Sequence, residues 1–128
     1  MKRVIKFRAW IKTPKECYMA IQGTPDLEDL QSFIFHYGDK ELMQFTGLLD
    51  KNKIEIYEGD ILKFKDCSFD ENEWISIVRF ENGSFNVDVE GGEYNITSIG
   101  FIDDEIEYEI IGNIYENPEL TKRCQHRT

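Results

Sequence analysis

The sequence is poor in the residues that staple a fold, hold metals or anchor a chain in a membrane. It has three cysteines and two histidines in 128 residues. Cys17, Cys67 and Cys124 are odd in number, widely separated and form no CxxC pair, which argues against a disulfide framework, and they read as reduced thiols. One Cys/His pair is close in sequence, Cys124 and His126 in a charged tail, and it offers too few ligands for a metal site. His36 lies among Phe33, Phe35 and Tyr37, the setting of a packing histidine rather than a general base. There are three prolines, no internal repeats and no low-complexity tracts. No apolar run approaches the roughly 20 residues that cross a bilayer. The opening MKRVIKFRAW lacks the apolar block of a signal peptide, so the chain is expected in the cytoplasm, with no membrane association.

What is present suits one ordinary domain. The chain is 41% hydrophobic and 13% aromatic, too rich in core-forming residues to be disordered despite 31% charge. A domain of this size buries about two-thirds of its unfolded-chain surface, so it needs no cross-links to hold together.

Net charge is −10, unevenly placed. Residues 1–15 carry +6, from Lys2, Arg3, Lys6, Arg8, Lys12 and Lys15 without an acid, and residues 122–128 carry +3. The stretch between holds 25 acids against six bases, −19. Basic ends therefore bracket an acidic body. Either they pair with the body, or the first strand meets an anionic partner such as nucleic acid or the acidic face of a second subunit.

Hydrophobic spacing predicts mostly β structure. In RVIKFRAWI (residues 3–11), Ile5, Phe7, Ala9 and Ile11 alternate with Arg8 and Trp10, the period of a half-buried strand with its basic charges largely outward. A turn at Thr13 and Pro14 leads to a second apolar run at 18–21, giving a hairpin. Thr24, Pro25 and Asp26 resemble a helix start, followed by Leu27, Leu30, Phe33, Ile34 and Tyr37 at helical spacing and a stop at Gly38, although 33–37 fits a strand as well. Next come a short strand at 42–46 before Gly47, a turn at 50–53 whose Asn52 tolerates positive φ, a tight Glu58-Gly59-Asp60 turn, and strands beginning at 61 and 74. Asn82-Gly83 marks a hairpin, with Phe85, Val87 and Val89 alternating on the return strand; Gly91-Gly92 breaks it, and 94–99 and 107–115 are further strands before Asn117-Pro118 ends the β region.

About five short antiparallel strands from residue 61 onward suffice to curl into a small barrel, which removes exposed edges. The expected fold is mainly β: an SH3-like antiparallel barrel at 57–121, preceded at 1–56 by a β-hairpin, a short helix and a lead-in strand, and followed by a basic tail at 122–128, the whole forming one compact unit.

No catalytic assembly emerges. Asp103, Asp104, Glu105, Glu107 and Glu109 form the densest acidic run, but Glu105, Glu107 and Glu109 share one strand face opposite Ile106, Tyr108 and Ile110, which a solvated outer face explains. The acidic loop at 66–73 lacks the Asp-x-Asp-x-Asp-Gly order of a calcium loop. Gly91-Gly92 is followed by Glu93, whose charge repels phosphate, and no GxSxG is present. No cofactor or metal is expected. Arg3, Lys6, Arg8 and Trp10 are the candidate interaction residues, through phosphate contact and stacking or through an acidic protein surface.

Four segments, taken in order, resemble the YopX family of phage and prophage proteins: IKFRAW at 5–10, LMQFTGLLDKNKIEIYEGDIL at 42–62, VRFENGSF at 78–85 and IIGNIYENPEL at 110–120. Where the family usually has a Lys-Asn-Gly turn, this chain has Lys51-Asn52-Lys53. The resemblance implies an SH3-like, β-rich protein of phage or prophage origin in the bacterial cytoplasm, with no established activity and hence no catalytic residues to transfer. Its motif residues have structural readings: Gly47, Gly59 and Gly112 suit backbone turns or close approaches, Asn117 and Pro118 a chain stop, and Asp60 an acceptor of backbone N–H bonds. The expectation is a non-catalytic accessory protein that self-assembles as a homo-oligomer or binds a phage or host protein. The alternative is a nucleic-acid-associated module using the basic first strand.

Overall fold

The computed structural model describes residues 5–23, 33, 41–66, 73–89, 92–96 and 106–124. Arg3, His36, Cys67, Asp103 to Glu105, His126 and most of the 24–40 and 66–73 stretches lie outside the described residues.

The N-terminal alternation becomes β1 (Phe7–Lys12) and β2 (Cys17–Ile21), antiparallel with Lys12 opposite Cys17. Their loop is closed by Thr13, whose N–H and hydroxyl both donate to the Glu16 carbonyl. β3 (Glu41–Leu49) pairs with the other side of β1, and β4 (Glu55–Tyr57) follows at the far edge, giving the order β2-β1-β3-β4. Ala9, Ile11 and Phe33 form the core of one face of this sheet, with Phe7, Ala20 and Leu42 packed against them. Phe33 is helical and fully buried.

β3 does not end before Gly47. It runs nine residues, and Gly47, at φ +90°, sits where the β3/β4 register breaks between Phe45 and Leu49. A glycine that adopts a left-handed conformation accommodates such a bulge while the strand continues. In the next turn the positive φ falls on Lys53 (+63°), not Asn52. The reason is Asp50: its Oδ1 accepts the N–H groups of Asn52 and Ile54, and Lys53 N–H returns to the Asp50 carbonyl, so the reversal is completed at Lys53.

The remaining strands are β5 (Asp60–Asp66), β6 (Glu73–Ile77), β7 (Arg79–Glu81), β8 (Ser84–Val89), β9 (Gly92–Asn95) and β10 (Ile106–Asn113). They form two three-stranded antiparallel sheets, β10-β5-β6 and β7-β8-β9. The run at 74–80 is two strands, not one. Val78 is the corner: it turns inward and exchanges backbone bonds with Gly59 and Asp60. Asn82 and Gly83, both at positive φ, make the two-residue turn between Glu81 and Ser84.

Curling these sheets encloses one core of Ile56, Leu62, Phe64, Trp74, Val78, Phe85, Val87 and Ile96, against which Leu48, Ile106, Tyr108 and Ile110 pack. Phe64 stacks on Trp74 with centroids 5.4 Å apart. Burying an aromatic such as Phe64 contributes about 1.5–3 kcal/mol. The molecule is therefore mainly β, a curled antiparallel half-barrel beside the N-terminal sheet. Ile56 and Leu48, from the lead-in region, belong to the same core as strands β5 to β8.

β10 ends at Asn113, ahead of Asn117-Pro118, and Pro118 begins a helical turn, α1 (Pro118–Thr121). Proline fits the first helical position because its missing N–H would have no intrahelical partner there. Leu120 of this turn and the following Cys124 cover Ile61 and Ile75 on the outer face of β5 and β6.

Candidate functional site

Arg8 and Trp10 lie on the face of β1 opposite its Ala9 core, and Lys6 immediately precedes the strand. That face is covered, because the 55–60 segment and the 110–117 segment both pack onto it. Arg8 is consequently 7% exposed, which corrects the expectation of an outward basic strand. Its Nη2 donates to Asp60 Oδ1 at 2.8 Å and to the Glu58 carbonyl at 3.4 Å, and its guanidinium carbon lies 4.7 Å from the centre of the Tyr57 ring. An arginine buried against an aromatic face and a carboxylate is held by charge, hydrogen bonding and cation–π attraction together.

Asp60 is fixed from two sides. While Oδ1 takes Arg8, Oδ2 accepts the Tyr57 N–H at 2.8 Å, closing the 57–60 turn. Burial pushes the Asp60 carboxyl above its usual value, against the lowering pull of Arg8 and the Tyr57 N–H. Burial likewise raises the Tyr57 phenol, aided by Glu55. Gly59 is at φ +88°, and a Cβ there would sit 3.1 Å from Met43 Sδ. Backbone position and side-chain packing both call for glycine beside Asp60.

The other candidates fall around this pair. Lys6 Nζ meets Glu55 Oε1 at 2.9 Å. Trp10 stacks on Tyr115, with centroids 5.6 Å apart and planes inclined by 17°, and Tyr115 donates to Glu41 Oε2 at 3.3 Å. A Cβ on Gly112 would overlap the side chain of Asn117, whose Oδ1 accepts the Asn113 N–H at 3.2 Å. Pro118 lies beyond this contact in α1, and Gly47 lies apart in the β3 bulge. Residues from three distant segments thus meet at one joint: 6–10, 55–60 and 112–117.

Beside the joint is an open cleft of about 340 Å³, lined by Arg8, Tyr57 and Asp60, by Ile21, Ile54 and Ile110, and by Glu55, Gly112, Asn113 and Glu116. Of these, the sequence singles out Arg8, Asp60 and Gly112; the others come to the cleft only through the pairing of distant segments.

Asp50 forms a second polar centre. It is buried, and its Oδ2 accepts the Ile110 N–H at 3.0 Å in addition to the two turn bonds at Oδ1. Burial raises its carboxyl, but these three N–H donors outweigh burial and hold it below the usual carboxylate range.

Arg8 and Asp60 engage each other, which ties the first strand to the 57–60 turn. Among the described residues no three His, Cys, Asp or Glu side chains come together to hold a metal ion. Cys17 is an exposed free thiol; Cys124 is buried and donates to the Leu120 carbonyl, and burial raises its thiol. Among the described residues no helix is long and apolar enough to cross a membrane.

A family model described as YopX protein matches residues 6–122. Among solved structures, protein EF1440 from Enterococcus faecalis is similar with a TM-score of 0.52 at 26% identity, over 93% of this chain and 99% of that one. The protein yopX from Bacillus subtilis is similar with a TM-score of 0.50 at 21% identity, over 94% of this chain and 98% of that one, a likeness of fold. No curated protein matches the sequence.

Proposed function

We propose, from the premise that this chain belongs to the YopX family, that it is a non-catalytic interaction protein encoded by a phage or prophage, acting in the bacterial cytoplasm and associating first with copies of itself. The observation that carries the reading is the edge strand β2. It ends the four-stranded sheet, with no strand on its outer side among the described residues, and it presents Tyr18 at 39% exposure. An uncovered strand edge with an exposed aromatic is a template for pairing with another chain. The tip of the β1–β2 hairpin offers exposed Lys12 and Lys15, cations suited to the acidic body of a neighbouring copy.

Multi-angle light scattering at high micromolar concentration tests this. The wild-type chain should exceed its monomer mass, and Tyr18→Lys should return it to monomer without altering the circular dichroism spectrum. A strict monomer throughout would sink the self-association reading.

The nucleic-acid alternative loses its central residues, because Lys6 and Arg8 engage Glu55 and Asp60. Salt-sensitive oligonucleotide binding, read by fluorescence anisotropy and removed by Lys12→Ala with Lys15→Ala, would revive it.

A further inference from the structure

The β7–β8 hairpin holds a chemically reactive pair of residues at its tip. Asn82 and Gly83 are the two turn residues, at φ +53° and +81°, and both are exposed, as is the preceding Glu81. The side-chain bonds of the turn run past them: the Ser84 hydroxyl and the Asn86 amide both donate to the Glu81 carbonyl. Among the described residues neither the Asn82 side-chain amide nor the Gly83 N–H has a hydrogen-bond partner.

Asparagine is a thermolabile residue. Its side-chain carbon Cγ and the backbone nitrogen of the next residue close to a five-membered ring, so their reaction is intramolecular and gains from proximity. Three things hold it back: a crowding side chain on the next residue, a hydrogen bond that fixes the amide or the nitrogen, and exclusion of water. None operates at Asn82-Gly83. The restraint that remains is the turn itself, which must open for Cγ to reach the nitrogen, and a tip exposed to water opens more readily than a buried strand.

The other asparagines among the described residues are each protected. The Lys53 N–H that follows Asn52 is held by the Asp50 carbonyl. Asn86 is buried, and both ends of its amide are bonded. Asn95 and Asn113 precede β-branched isoleucines, and the Asn113 oxygen accepts the Tyr115 and Glu116 N–H groups. Asn117 precedes Pro118, which has no N–H.

We propose that Asn82 is a site of spontaneous covalent modification. The Gly83 nitrogen attacks Asn82 Cγ and forms a C–N bond; the Cγ–Nδ2 bond breaks, and Nδ2 leaves as ammonia with the Gly83 proton, giving a succinimide. Water then adds to either ring carbonyl and one C–N bond opens, giving aspartate or its β-linked isomer, isoaspartate. Nothing is oxidised or reduced, and water is the sole co-reactant. Either product adds one negative charge. Isoaspartate also adds a carbon to the main chain of a two-residue loop whose length sets the pairing of Arg79 with Asn86 and Phe80 with Phe85. It therefore loosens the hairpin, and with it the core residue Phe85 and the Arg79–Asp88 ion pair. Aspartate leaves the main chain and the pairing unchanged.

The test is to age the full chain at mildly alkaline pH and physiological temperature and to map its peptides by mass spectrometry with electron-transfer fragmentation. Residue 82 should gain one mass unit, as a mixture of aspartate and isoaspartate, before any other asparagine of the described residues. Asn82→Gly retains a residue suited to the turn and should show no gain at this position. The aged chain should unfold at lower urea than freshly made Asn82→Asp, which carries the same added charge on an unaltered main chain. No gain at residue 82 after a free peptide of the same sequence has fully converted, aspartate without its isomer, or an earlier gain at another described asparagine would each overturn the proposal. Equal urea midpoints for the aged chain and Asn82→Asp would overturn the effect on the hairpin.

Discussion

At the scale of single residues, the Arg8–Asp60 pair and Lys53 make opposite predictions about substitution. Removing one partner of a buried pair leaves the other charge uncompensated, so Arg8→Met or Asp60→Asn alone should cost about 3–5 kcal/mol. The double variant leaves no unpaired charge, and the asparagine still offers an oxygen to the Tyr57 N–H. Its loss should be well below the sum of the singles, as urea denaturation will show; additive losses would mean that the two side chains do not act as a unit. Lys6 and Glu55 are only partly buried, and Lys6→Ala should cost less than about 1 kcal/mol. Lys53 is a different case. A side chain held in left-handed conformation costs about 1–2 kcal/mol, and glycine does not bear that strain. Lys53→Gly should therefore stabilise the chain, raising the thermal midpoint by about 3 °C in calorimetry. An unchanged or lowered midpoint would show that the Asp50 turn already relieves the strain.

At the scale of elements, Asp50 joins the β3–β4 turn to β10 through its bonds to Asn52, Ile54 and Ile110. Its folded pKa is lowered, so the stability it confers is present above the ordinary carboxylate value of 3.8 and is lost as pH falls through the lower folded value. Asp60 has the opposite sign. Its raised pKa means that the folded state favours the protonated carboxyl, a contribution present below 3.8 and lost as pH rises through the higher folded value. The gap between wild type and Asp50→Asn in urea midpoint should be wide at pH 6 and close as the solution is taken below about pH 4. A gap independent of pH would refute the charge argument. At the junction of β10 with α1, Gly112→Ala drives a methyl into the Asn117 side chain and should cost about 1–3 kcal/mol; Asn117→Gly in the same chain should restore part of it.

At the scale of the whole molecule, the basic N-terminal segment is partly neutralised inside the chain, by Glu55 at Lys6 and Asp60 at Arg8, while Lys12 and Lys15 stay exposed on the hairpin. Four of the six positive charges of the N-terminal segment are therefore two separate features, an internal latch at the start of β1 and a basic tip at its end; Lys2 and Arg3 lie outside the described residues. If the tip meets the acidic body of another copy, the weight-average mass in light scattering should fall as salt rises from low to physiological strength, where screening acts within about 8 Å. A mass indifferent to salt would assign the contact to the β2 edge and its apolar side chains alone.

The sequence by itself determined most of the β pattern. Alternation in 7–11, the Asn82-Gly83 turn and the outer-face glutamates Glu107 and Glu109 are local consequences of side-chain direction and backbone preference, legible without knowing what packs against them. The bulge at Gly47 and the inward turn of Val78 were misread because a local signal for a break is the same whether the chain stops, bends or continues. Only the tertiary structure decided that both faces of β1 are covered. The period-two pattern shows that Arg8 lies opposite Ala9, but whether that opposite face meets water depends on Tyr57, Asp60 and Tyr115, which lie about fifty to one hundred residues further along and arrive only when the strands pair.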